Sequence, residues 1–164
     1  MLTTIEDILI SRGQLDRIYK GEIGLYLWRA LLKSSNGTAS MNPLYPDFEE
    51  RIIIRNGVKS TRFPDIKTKE ENGIIYVFPA VGKSGAPDGT SLFDREGTFG
   101  NSSWEYFEIP KGTKIPVGLI ITRDEFNSRF NATHYTLTPN YKMPKIEFIK
   151  LLDELRLNAI RQRG

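Results

Sequence analysis

The chain has 164 residues, no cysteine and one histidine, and its 23 Lys and Arg stand against 20 Asp and Glu for a net charge of +3. That length suggests one domain, and the lack of thiols and imidazoles excludes disulfides, thiolate metal sites, a cysteine nucleophile and a multi-histidine centre, so no metal is expected. Three surplus charges argue against a nucleic-acid face, and no apolar stretch approaches the ~20 residues of a membrane span.

Met1 to Asp7 carries acid where an export signal carries base, so no signal peptide is expected. Thr3 and Glu6 have the spacing of a capping box ahead of Ile5, Ile8 and Leu9, which predicts a short helix over 4–12 that stops near Gly13. Gln14 to Lys20 adds a possible further turn before Gly21. Residues 1–21 are therefore expected as a helical N-terminal appendage to a domain over 22–164. Ile23 to Leu32 is apolar on both sides and predicts a strand buried on both faces. Arg29 stands in its middle. Arginine is seldom fully buried without a partner, so Arg29 either meets an anionic ligand or partner or points to solvent from the strand's end.

Ser34 to Phe48 reads as a loop, with Asn36-Gly37 as a turn and Pro43 and Pro46 as breakers. Arg51 to Arg55 fits a short strand or a helix end, and Asn56-Gly57 is another turn. Gly73 to Phe78 is a strand closed by Pro79. Gly82, Gly85, Pro87 and Gly89 form an irregular loop that leads straight into Thr90 to Asp94. Trp104 to Ile109 is a strand ending at Pro110, Lys111 to Thr113 a turn, and Leu119 to Ile121 a short strand. Thr122 and Glu125 have capping-box spacing, which predicts a helix over Phe126 to Phe130. His134 to Thr138 is a strand closed by Pro139. Beyond Pro144, Phe148, Ile149, Leu152, Leu155, Ala159 and Ile160 recur at threes and fours, which predicts an amphipathic helix over 145–162. The outline is an α+β fold with a strand-rich core over 22–139.

Few residues here suggest chemistry on their own. Gly82-Lys83-Ser84 lacks the earlier glycine and the following helix of a phosphate loop. Glu105 and Glu108 lie three apart on a strand and face opposite sides. Glu49-Glu50 and Glu70-Glu71 read as solvated charge beside turns. A lone histidine on a strand, as at His134, is more often a hydrogen-bonded structural residue than a catalyst. Thr90-Ser91 is either an ordinary strand start or a pair of hydroxyls that hold a ribose or an amide.

Six short strings taken together carry more. They are Leu25-Tyr26 with Arg29-Ala30, Arg62-Phe63-Pro64-Asp65-Ile66, Gly89-Thr90-Ser91-Leu92-Phe93-Asp94-Arg95, Ile109-Pro110-Lys111-Gly112-Thr113-Lys114-Ile115-Pro116, Thr133-His134-Tyr135-Thr136 with Pro139, and Asn158-Ala159-Ile160-Arg161. In this order and spacing, over about residues 25–164, the chain resembles a family of small bacterial toxins. These are type VI secretion effectors with an ADP-ribosyltransferase-like fold, neutralised in the producing cell by an immunity protein.

The resemblance implies an ADP-ribosyltransferase-like split antiparallel sheet core that holds NAD in a cleft, with the amphipathic helix at the C-terminus. It also implies a toxin delivered through the type VI machinery into a target cytoplasm, with a cognate immunity protein as partner. It places Thr90, Ser91, Arg62 and His134 in catalytic roles, and Tyr26, Arg29, Asp94, Arg95 and Tyr135 on the NAD side. Arg29 and Ser91 fit the arginine and the hydroxyl residue that such enzymes carry on their first core strands. The third residue, a glutamate in an acid-x-acid motif, has no match, since neither Glu-x-Glu nor Gln-x-Glu occurs in the chain. Transfer to an unusual target and NAD hydrolysis both remain open, and the alternative is a non-catalytic toxin that binds a cytoplasmic partner. Breaking the nicotinamide bond passes through a cationic ribose, so the site must position ribose, orient nicotinamide and neutralise pyrophosphate. Arg29, Arg62, Thr90, Ser91, His134 and Tyr135 are accordingly expected to meet at one cleft, with Tyr76, Tyr106 or Tyr135 available to stack on nicotinamide.

Overall fold

A computed structural model describes residues 4–33 and 42–164; Thr3 and the Asn36-Gly37 turn lie outside them. Helix α1 (Ile5–Ser11) starts at Thr4, whose hydroxyl accepts from the Asp7 N–H at 2.9 Å, so the described cap is at Thr4. A single 3-10 turn at Leu15–Arg17 leads to β1 (Ile18–Tyr19). The strands then run β2 (Leu27–Leu32), β3 (Arg51–Arg55), β4 (Val58–Arg62), β5 (Thr68–Glu71), β6 (Ile74–Val77), β7 (Thr90–Phe93), β8 (Trp104–Ile109), β9 (Leu119–Asn127), β10 (Ala132–Pro139) and β11 (Met143–Pro144). Helix α2 (Lys145–Gln162) closes the chain on the residues its periodicity marks.

Six strands form one sheet in the order β1-β9-β10-β7-β2-β8, with every pairing antiparallel. A second sheet has the order β11-β6-β5, and β3 and β4 form a hairpin of their own. The protein is α+β, two helices on mostly antiparallel sheets. Both two-residue connections, Asn56-Gly57 and Asn72-Gly73, have positive φ at each position, as a tight hairpin turn requires. The second of them reveals β5, which the polar run Thr68-Lys69-Glu70-Glu71 conceals from any apolar pattern. The segment expected as an appendage is fastened to the main sheet, because β1 pairs with β9 through Ile18–Thr122 and Tyr19–Ile121.

Two expectations are corrected. The strand expected from Ile23 begins at Leu27, and only Leu27 and Ala30 of β2 are buried outright. Ile23 is buried, but its N–H donates to Thr113 O and its carbonyl accepts from Gly112, so the turn at 110–113 holds it. The helix expected after Thr122 is absent, and β9 continues to Asn127 paired with β10, with a register shift between Thr133 and Tyr135. Thr122 donates its hydroxyl to Asp124 Oδ1 at 2.8 Å, two residues along a strand, and caps nothing.

The core is one cluster fed by all layers. Leu92, Leu137 and Leu27 of the large sheet, Val77 and Met143 of the small one, and Phe148, Leu152, Leu155 and Ala159 of α2 meet there. Ile160, expected on that helix face, is 41% exposed. Leu119 and Ile121 of β9 belong to this cluster, whereas Ile120 between them packs with Ile5 and Leu9 of α1, so the first four residues of β9 are buried on both faces and the rest run out to solvent. Gly89 lets β7 approach β10, since a Cβ there would lie 2.2 Å from the Leu137 carbonyl oxygen. Among the described residues no helix is long and apolar enough to cross a membrane.

Candidate active site

The ends of β2 and β7, the 45–50 segment and β4 surround a cavity of about 540 Å³. Arg29, Arg62 and Ser91, which lie far apart in the chain, all line it, together with Asp47, Asp65 and Trp104. Arg29 donates from Nε to Pro43 O at 3.1 Å and from Nη1 to Ser91 O at 3.4 Å. Both partners are carbonyls, so the guanidinium keeps its charge without a carboxylate in hydrogen-bond contact. Burial pushes its pKa down, the charges of Asp65 and Asp47 push it up, and Arg62 lowers it again. Arginine starts so high that the group stays cationic.

Arg62 is shared between two carboxylates, with Nε 3.4 Å from Asp47 Oδ2 and Nη2 3.6 Å from Asp65 Oδ1. The pair is about half exposed at the arginine, so it positions charge more than it stabilises the fold. The carboxylate segments are also pinned by backbone. Asp47 N donates to Asp65 Oδ2 at 2.8 Å, Asp65 N donates to Asp47 O at 2.8 Å, and Gly89 N donates to Asp65 O at 3.0 Å. That last bond ties the Arg62–Asp65 segment to the residue just before Thr90-Ser91. On the far wall, Tyr45 donates to Asp153 Oδ1 of α2 at 2.6 Å, and Asn42 Nδ2 reaches the same atom at 3.0 Å, so the helix anchors the 42–48 segment.

The two hydroxyls of the Thr90-Ser91 pair part company. Strand alternation buries Thr90, whose hydroxyl donates to Leu44 O at 2.7 Å, and leaves Ser91 on the cavity. His134 does not line this cavity. Its ring sits at a second one, of about 460 Å³, which shares Phe93 and Phe99 with the first. His134 Nδ1 lies 2.9 Å from Asp124 Oδ2, and Thr136 donates to the same oxygen at 2.6 Å.

The other four sequence-predicted residues line neither cavity. Tyr26 is half exposed and stacks on Trp28 with ring centroids 6.2 Å apart. Tyr135 points into the core, 6.0 Å from the Tyr19 ring, and burial pushes its hydroxyl up to about 12. Asp94 Oδ1 accepts from Thr133 N at 2.8 Å, and Arg95 Nη1 donates to Phe130 O at 2.5 Å. The one-cleft expectation thus holds for Arg29, Arg62 and Ser91, while Thr90 lies beneath that cavity, His134 beside it and Tyr135 on the opposite face of its strand. Of the three tyrosines considered for stacking, Tyr106 works at a distance, accepting from Phe99 N and donating to Gly100 O, both at 2.8 Å, and so sets the Phe99 wall. Sequence reasoning passed over Asp47, Trp104 and Asp124. Asp124 was hidden by the helix expected there.

Residues 8–163 match the family described as Tse2 ADP-ribosyltransferase toxin. The chain is also 34% identical over 145 residues to Toxin Tse2 of Pseudomonas aeruginosa, across 85% of this chain and 90% of that protein. The chain belongs to the Tse2 ADP-ribosyltransferase toxin family. It is therefore a toxin of ADP-ribosyltransferase type, with an α+β fold of that class. For this toxin the matched region takes in both cavities, all nine sequence-predicted residues and α2.

Proposed function

We propose that the 540 Å³ cavity binds NAD as substrate and breaks its nicotinamide–ribose bond, in a toxin delivered by a type VI secretion system into the cytoplasm of a target bacterium. The observation that carries this reading is the meeting of Arg29, Arg62 and Ser91 on one cavity, with Arg29 hydrogen-bonded, among the described residues, to carbonyls. A forked cation of this kind suits a pyrophosphate, and the Ser91 hydroxyl suits a ribose. As the C1′–N bond breaks, its electron pair leaves with nicotinamide, which departs neutral, and positive charge appears on the ribose. Asp47 and Asp65 on the same cavity supply opposite charge to it. An acceptor nucleophile or water then bonds to C1′ and gives up a proton. A cognate immunity protein protects the producing cell.

The experiment is expression in a bacterium with growth and total NAD followed together, alongside Ser91→Ala. NAD is expected to fall before growth stops, and Ser91→Ala to restore both. The absent Glu-x-Glu motif favours a second reading, a toxin that binds a cytoplasmic partner without chemistry. Growth arrest at constant NAD, with no labelled ADP-ribose on any acceptor, would establish it and overturn the first.

A further inference from the structure

The Asp124 carboxylate is 5% exposed at its side chain and is fully engaged. Oδ2 accepts from His134 Nδ1 and the Thr136 hydroxyl, and Oδ1 accepts from the Thr122 hydroxyl at 2.8 Å. An ionised Asp124 only accepts, so this contact favours the tautomer with the proton on Nδ1, which in the neutral ring leaves the lone pair on Nε2. His134 lines the second cavity and its side chain is 27% exposed.

Strand register ties the dyad to the first cavity. Thr136 stands directly across from Ser91 and His134 directly across from Phe93. Ser91 and His134 are thus diagonal neighbours on one sheet face, roughly 7–8 Å apart in the backbone. The lining of the second cavity, among the described residues, includes Phe126, Asp124 and Glu125 and no Lys or Arg, which disfavours a polyanion such as RNA.

We propose that the second cavity admits the acceptor of the ADP-ribosyl group, a hydroxyl side chain of a protein, and that His134, aligned by Asp124, is the general base that activates it. This rests on the NAD reading. The hydroxyl oxygen bonds to C1′ as nicotinamide leaves with the electron pair of the broken bond, and the hydroxyl proton passes to Nε2 and then to solvent. Asp124 is a positioning residue and takes no proton.

The test uses the whole protein, labelled NAD and a bacterial cytosolic extract, with protein-bound label and free ADP-ribose both measured. Bound label is expected to survive RNase, mercuric ion and neutral hydroxylamine, which respectively remove RNA, thiol-linked label, and carboxylate- or guanidine-linked label. His134→Gln is expected to lower the transfer rate about 100-fold, with the KM for NAD within about threefold. Imidazole added to His134→Ala restores part of the rate. His134 is the only histidine, so its imidazole nitrogen resonances report the tautomer directly, and Asp124→Asn is expected to shift them and lower the rate at unchanged KM. Wild-type protein that consumes no NAD defeats the NAD reading and this inference with it. NAD consumption with label sensitive to RNase, mercuric ion or hydroxylamine, or release of free ADP-ribose alone, defeats the inference and leaves the reading intact. So does His134→Gln at the wild-type rate, or a loss in His134→Ala that imidazole does not relieve.

Discussion

The two cavities stand on either side of Phe93 and Phe99 and are built in different ways. The larger draws its charged groups, Arg29, Arg62 and Lys145 against Asp47, Glu49, Glu50 and Asp65, from a strand, a hairpin, a helix start and loops that meet only in three dimensions. The smaller draws His134 and Asp124 from β10 and β9, neighbouring strands whose register shifts between Thr133 and Tyr135, and the contact of Nδ1 with Oδ2 at 2.9 Å fixes the two relative to each other. Charges gathered from loops can wrap a large substrate, while two side chains on neighbouring strands can hold one ring in one orientation. The contrast explains why Arg62 keeps much exposure and two loose carboxylate partners, whereas Asp124 is buried with three donors.

The strongest break comes at Arg29. Arg29→Met keeps most of the volume and removes the charge. Without its forked cation the pyrophosphate is unneutralised and the ribose is misplaced; misplacement by ~1 Å alone costs about 100-fold in rate, and NAD turnover is expected to fall by at least that much. The change also leaves the Pro43 and Ser91 carbonyls without their donor, which costs about 1–3 kcal/mol for each one that is buried, so the melting temperature should fall and turnover is read per folded molecule below the transition. Turnover near wild type would remove the first cavity from the chemistry. Ser91→Ala comes next, with an expected loss of about 100-fold from misplaced ribose and a midpoint within roughly 4 °C of wild type.

Thr90→Val sharpens the comparison from beneath. The variant keeps the shape, loses the hydroxyl and leaves the Leu44 carbonyl buried without its donor. That costs about 1–3 kcal/mol, or roughly 2–4 °C of midpoint for each kcal/mol in a chain of this size. NAD turnover per folded molecule is expected to stay at wild type below the transition. A Thr90→Val protein that melts normally but fails to turn over NAD would put the hydroxyl back among the substrate contacts.

Legibility in the sequence followed periodicity. Phe148, Leu152, Leu155 and Ala159 mark α2 because one stripe meets one core, and Trp104 to Ile109 marks β8 because a proline ends it. Thr122 to Phe130 misled because Thr-x-x-Glu spacing also occurs by chance on a strand, and the ladder with β10 satisfies the backbone first. The same misreading concealed Asp124. Ordered motifs rather than their own chemistry single out Arg29, Arg62 and Ser91, and the structure brings these three to one cavity. Nothing local separates the Thr90 and Ser91 hydroxyls, because which of two adjacent strand residues faces the core depends on which face the helix covers. Tyr135 shows the same limit, since it stands next to His134 and points the opposite way.

The smallest expected effect is a change of slope at alkaline pH, and it compares the two regions through one tyrosine from each. Tyr45 lines the charged cavity and Tyr135 lies in the core behind the ladder. Both hydroxyls are pushed from 10.0 up to about 12, each chiefly by burial, with Asp153 adding to the first and Tyr19 to the second. The folded state therefore binds the proton more tightly than the unfolded chain, and stability is full below pH 10 and lost as pH rises from 10 to 12. Tyr135 is 4% exposed, whereas the Tyr45 hydroxyl lies near solvent, where water screens the neighbouring carboxylate. Tyr135→Phe should therefore flatten the loss of stability between pH 10 and 12 more than Tyr45→Phe, as read from urea midpoints at fixed salt. The lysines that titrate in the same window are common to both variants and cancel in the difference. Equal slopes, or a flatter one in Tyr45→Phe, would mean that the cavity wall is drier than the ladder behind it, and the division between a solvated charge-binding cavity and a register-locked interior would fail.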